Sequence, residues 1–128
     1  MKEEFLEIRN YINNISYYDS SENTKYDHYP YLKSVLENFT PKQQDDFVEE
    51  VFTWDDHELH FVADCLNFTD YELKGKFESS YVFCECFAKI DDEEYLEYLY
   101  QDLEIHLMQR KFFKNDLSLH LQDIINTY

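Results

Sequence analysis

Residues 47–56 read FVEEVFTWDD, and residues 83–92, 36 positions later, read FCECFAKIDD. Both blocks place apolar side chains at i, i+1, i+4 and i+7: Phe47, Val48, Val51 and Trp54 in one, Phe83, Cys84, Phe87 and Ile90 in the other. That spacing gathers the four onto one stripe of a helix, and each block then stops at an Asp, Asp55 or Asp91, suited to capping the next helix. A further step of 36 towards the N-terminus lands on Tyr11, where Tyr11, Ile12, Ile15 and Tyr18 share the spacing and Asp19 follows.

A second helix is predicted after each block. Leu59, Val62 and Leu66 supply its apolar face in the middle copy, and Leu96, Leu99 and Leu103 do so in the last. In the first copy Leu32, Val35 and Phe39 take that place, after a loop over 19–29. Thr40, Pro41 and Gln43 form a capping box with proline at the first helical position. Thr69 and Glu72 read as another box, opening a helix bent around Gly75. Leu117, Leu121, Ile124 and Tyr128 mark a closing helix over 115–128.

The predicted fold is therefore all-α: a single domain over 1–128, a short α-solenoid of about three helical hairpins (2–40, 41–68, 69–110) plus the C-terminal helix. Over residues 5 to 110 the units resemble degenerate HEAT repeats, although the proline that usually bends the first helix is missing.

The 128 residues carry 28 acids, 11 bases, 12 Tyr and 11 Phe, but one Gly and two Pro. With 44% hydrophobic residues the chain can bury a core despite a net charge of −17. One glycine excludes glycine-rich phosphate loops and dinucleotide fingerprints. So negative a surface repels phosphate backbones, so no direct nucleic-acid binding is expected. No apolar run approaches a membrane span, and the N-terminus lacks a signal-peptide core, so a cytoplasmic location is expected. Three cysteines, Cys65, Cys84 and Cys86, are assigned to the core.

No catalytic or metal set is expected, and no cofactor. His57 and His60 stand at i, i+3 rather than the i, i+4 of a zinc-protease helix. Cys84 and Cys86 diverge on a helix, and no serine sits in a nucleophile elbow.

The charge is concentrated: residues 41–100 hold 17 acids and 4 bases. Some of these acids need no partner, because Asp55, Asp56 and residues 91–94 lie in first turns, where the helix dipole favours them. Asp45 with Glu49, and Asp46 with Glu50, are like charges at i, i+4 that repel. In the second helices the polar stripe His57, His60, Asp64 and Asn67 aligns with Glu94, Glu97, Gln101 and Glu104, predicting one acidic face beside Tyr98. The candidate partner-binding residues are accordingly Asp46, Glu49, Glu50, Asp64, Glu94, Glu97, Tyr98, Gln101 and Glu104.

A small, acidic, helical chain with HEAT-like hairpins and no catalytic set looks like the immunity proteins of bacterial polymorphic toxin systems. The resemblance implies a tight one-to-one complex with a cognate toxin, often a basic nuclease. Carboxylates would steer association and aromatics would anchor it. The alternatives are a non-enzymatic interaction adaptor or a nucleic-acid mimic, the latter disfavoured by nearly neutral chain ends. Surplus aromatics would serve a homodimer equally well.

Overall fold

A computed structural model describes residues 2–14, 24–97 and 99. It is all-α, with helices α1 (Glu3–Asn13), α2 (Thr24–Asn38), α3 (Pro41–Val51), α4 (Asp56–Thr69) and α5 (Ser79–Lys89), and a helical stretch at 93–97. Ile15, Tyr18, Asp19, Leu103 and the closing helix over 115–128 lie outside the described residues. Among those described, no helix is long and apolar enough to cross a membrane.

The two matching sequence blocks behave as their spacing requires. Phe47, Val48, Val51 and Trp54 are all buried, and so are Phe83, Cys84, Phe87 and Ile90. Thr40 and Gln43 exchange the two bonds of a capping box at 3.1 and 2.8 Å. The Asp55 N–H donates to Glu58 Oε1 at 3.0 Å, opening α4 in the same way.

Helix α4 is the hub, packed against each of the other four helices. Its residues 58–63 are buried without interruption, as expected of a helix covered on all sides rather than along one stripe. Tyr29, Phe47, Phe61, Phe83 and Phe87 are the largest fully buried side chains of the core. The three cysteines are buried there too. Burial pushes the Cys65 and Cys84 thiols up to about 12 and Cys86 higher still, so none is a ready nucleophile.

Two predicted boundaries are corrected. Helix α2 begins at Thr24, inside the loop expected over 19–29, and carries Pro30 in its interior. Pro30 is exposed while Tyr29 and Leu32 are fully buried, so packing outweighs the missing backbone bond. The second correction concerns Thr69, which opens no helix. It ends α4, with its hydroxyl donating to Cys65 O at 2.8 Å, and Asp70 closes the helix in the left-handed region at φ 51°.

Residues 71–78 then run without helix back across α3, laced by side chains. Gln44, 1% exposed, donates through Nε2 to Leu36 O at 2.8 Å and Tyr71 Oη at 3.0 Å, while its Oε1 accepts the Lys74 N–H at 2.5 Å. The Ser79 hydroxyl accepts the Leu73 N–H at 3.0 Å and donates to Tyr71 O at 2.6 Å. Gln44→Leu would keep the volume and take their partner from the Tyr71 hydroxyl and the Lys74 N–H, while Leu36 O keeps the Phe39 N–H at 3.1 Å. The expected cost is about 2 kcal/mol, read as a lower urea midpoint for the quenching or shift of Trp54 fluorescence.

Candidate interaction surface

Acids of α3 face cations, Lys42 from the same helix and Lys2 and Lys76 from distant parts of the chain. Asp46 accepts Lys2 Nζ at 2.8 Å and Lys42 Nζ at 3.3 Å. Glu49 meets Lys76 Nζ at 3.2 Å, and Asp45 Oδ1 accepts the Lys76 backbone N–H at 2.7 Å. Hydrogen bonds from Lys2 and Lys42 hold the Asp46 carboxyl below its usual range. Asp46, Glu49 and Glu50 are brought together around a shallow concavity of about 520 Å³, with Phe5 and Lys2 completing its lining. The Lys2 ammonium sits 5.7 Å above the Phe5 ring. The repulsion expected of the i, i+4 acids is thus offset within the fold for Asp45, Asp46 and Glu49.

Further along the same seam a buried ion pair ties α1 to α4. Glu58, 1% exposed, accepts Arg9 Nε and, at 2.9 Å, Asn13 Nδ2. Burial acts to raise the Glu58 carboxyl, but the bonds from Arg9, the Asp55 N–H and Asn13 outweigh it and hold it below its ordinary range. The Arg9 guanidinium also lies 5.6 Å over the Trp54 ring and 3.6 Å from Asp55.

The α4 stripe does not face water as predicted. His60 is 2% exposed, covered by Tyr95 with ring centroids 5.0 Å apart, and the Tyr95 hydroxyl lies 3.4 Å from His57 Nδ1. Asp64 is half-buried and accepts a hydrogen bond from the Tyr29 hydroxyl. The third hairpin covers part of the stripe, which helical periodicity within α4 alone does not show.

The acids at 91–97 are of another kind. Asp91, Asp92, Glu93, Glu94 and Glu97 are all exposed. No Lys or Arg of the described residues lies within ion-pair distance of any of them. Asp92 Oδ1 accepts the Glu94 N–H at 2.9 Å and caps the helical stretch, one residue later than the expected Asp91. Asp92, Glu93 and Glu94 therefore gain from the helix start, whereas Glu97 lies beyond the first turn.

Of the candidate residues, then, Asp46, Glu49 and Glu50 form one group on α3, Asp64 is engaged inside the fold, and Glu94 and Glu97 form an open group. Tyr98, Gln101 and Glu104 lie outside the described residues. Asp56, whose Oδ2 accepts the Asp91 and Asp92 N–H groups, and Tyr95, packed on His60, hold the open group and are not among the candidates. The repeat offset was the available signal, since Asp56 precedes Asp92 by 36 positions.

Among the described residues, no three of His, Cys, Asp and Glu converge to hold a metal ion. Comparison of the chain with protein-family models, curated proteins and solved structures gives no match.

Proposed function

We propose that the protein is a binding inhibitor of the immunity type, acting in the cytoplasm, and that it neutralises a basic, nuclease-like toxin through the acidic face that begins at 91–97. The observation carrying this reading is the contrast between two acidic groups. On α3, Asp46 and Glu49 are met by Lys2, Lys42 and Lys76, whereas Asp91, Glu93, Glu94 and Glu97 stand exposed with no cation of the described chain beside them. Uncompensated like charges cost stability through self-repulsion, and a basic partner relieves that cost on binding.

Recurring contacts support reading the proposed face as part of a stack of equivalent units. Contacts between hairpins recur near the 36-residue period: Tyr29 O with Cys65, the Tyr29 hydroxyl with Asp64, Asp56 with residues 91 and 92, and His60 with Tyr95. Equivalent residues touching across neighbours is how a solenoid aligns its second helices into one surface.

Affinity capture from the native host tests the reading, with the wild-type chain and an E94Q/E97Q variant as baits. The wild type is expected to retain a basic protein that is toxic when expressed alone and harmless when co-expressed with this chain. The variant should retain at least about tenfold less. Equal retention by both baits, or a retained partner of acidic character, contradicts the proposal.

A further inference from the structure

The acidic stretch at 91–97 is anchored to the middle hairpin by a carboxylate of its own sign. Asp56 Oδ2 accepts the backbone N–H of Asp91 at 3.1 Å and that of Asp92 at 2.9 Å. The helical stretch that follows directly is the one Asp92 caps, so these two amides fix where Glu93, Glu94 and Glu97 begin and in which direction they project. Tyr95, between them, is pinned on the opposite side of the turn against His57 and His60 of the same α4 helix.

Dipole stabilisation alone would leave Asp56 turned to solvent, as the neighbouring Asp55 largely is. Instead Asp56 is half-buried and spends one oxygen on two consecutive amides of the next hairpin. A backbone amide bonded to a carboxylate is held more tightly than one bonded to water or to a neutral acceptor. We infer that Asp56 is a positioning residue for the acidic face: it sets the register of the third hairpin on the second and so the spacing of the carboxylates offered to the partner. The inference rests on the proposed face at 91–97 and adds the device that presents it.

The test compares Asp56→Ala with Asp56→Asn in the full chain. Both remove one negative charge, but only asparagine keeps an acceptor oxygen, so their difference isolates positioning from charge. Two readouts are taken: amide hydrogen exchange at Asp91 and Asp92, and binding of a fluorescein-labelled octa-arginine peptide at low salt. Trp54 fluorescence confirms that each variant is folded.

Asp56→Ala is expected to exchange both amides about tenfold faster or more, and Asp56→Asn, whose neutral oxygen still accepts, to fall between that variant and the wild type. Peptide binding should weaken about threefold more in the alanine variant than in the asparagine variant. Unchanged exchange in Asp56→Ala overturns the inference, as does faster exchange with equal peptide binding by the two variants. An E94Q/E97Q variant separates the two levels. If it binds octa-arginine as tightly as the wild type, the face itself fails and the inference falls with it, while the exchange difference still reports the hold of Asp56 on the backbone.

Discussion

Arg9→Met is expected to destabilise the protein by about 3 kcal/mol, lowering the melting temperature by on the order of 10 °C. The substitution leaves Glu58 at 1% exposure with its cation gone and only Asn13 and the Asp55 N–H as donors. Removing one member of a buried pair is costly because the other charge stays desolvated. The Arg9 side chain is 27% exposed, which places the loss at the lower end of that range. Methionine keeps much of the aliphatic stem over Trp54, so packing is largely retained and the charge is what is measured.

The pH dependence gives this prediction its sign. In the wild type the folded-state Glu58 carboxyl titrates below its ordinary value of 4.5. Its contribution to stability is therefore fully present above that value and is lost as pH falls through the folded-state value. Without Arg9, burial dominates and the folded value rises, so acidification favours the folded variant instead. Protonation of the other acids also relieves repulsion, but it does so in both proteins. The wild-type advantage over Arg9→Met should accordingly shrink as pH is lowered from 7 towards 4, measured by urea unfolding at each pH. A constant difference across that range would show that Glu58 is not held ionised by Arg9.

The second large effect is expected at the only glycine. A Cβ built on Gly75 would lie 2.0 Å from Asp45 Oδ1 and 2.7 Å from the backbone oxygen of Pro41. The carboxylate can rotate away, but doing so gives up its bond to the Lys76 N–H; the Pro41 oxygen belongs to the first turn of α3 and moves only with the helix. Gly75→Ala is expected to cost about 2–3 kcal/mol through overpacking. Asp45→Ala should itself be mildly destabilising, yet Gly75→Ala in that background should cost visibly less than in the wild type. A double-mutant cycle in urea reads the coupling, and strict additivity would show that the clash with Asp45 is not the cause.

These residues also mark how far the sequence could be read. The spacing in the blocks at 47–56 and 83–92 gives the burial of their apolar stripes, because a stripe is a local property, but not that of Glu85 and Ala88, which lie off the stripe and are buried as well. Thr69 and Glu72 misled for the complementary reason. The local capping pattern was present, but Gly75 packed against Pro41, and Gln44 holding the Lys74 amide, pull 71–78 into a non-helical path. Similarly, the i, i+4 rule saw Asp46 against Glu50 and Asp45 against Glu49. It could not see Lys2 and Lys76, 44 and 27 positions from the acids they bond. His60 counted as polar stripe until Tyr95, from the next hairpin, covered it.

For the candidate site the outcome is a redistribution within the region the charge count had already marked. Residues 41–100 hold the excess, and tertiary contacts engage part of it, Asp46 and Glu49 on α3 with Glu58 and Asp64 on α4, while the acids at 91–97 remain exposed. Net charge by segment is visible in a sequence; which carboxylates have found a cation depends on residues far apart in the chain.

The most direct measurement of the central claim is the association rate with the captured basic partner, followed by stopped flow through Trp54 or a partner label. The rate is expected to fall about tenfold or more between low salt and physiological ionic strength, where screening shortens to about 8 Å. E94Q/E97Q should flatten that dependence, and E49Q, whose charge Lys76 already offsets, should change it little. An association rate that is independent of salt, or equally steep in E94Q/E97Q, would contradict an acidic face at 91–97 that steers a basic partner.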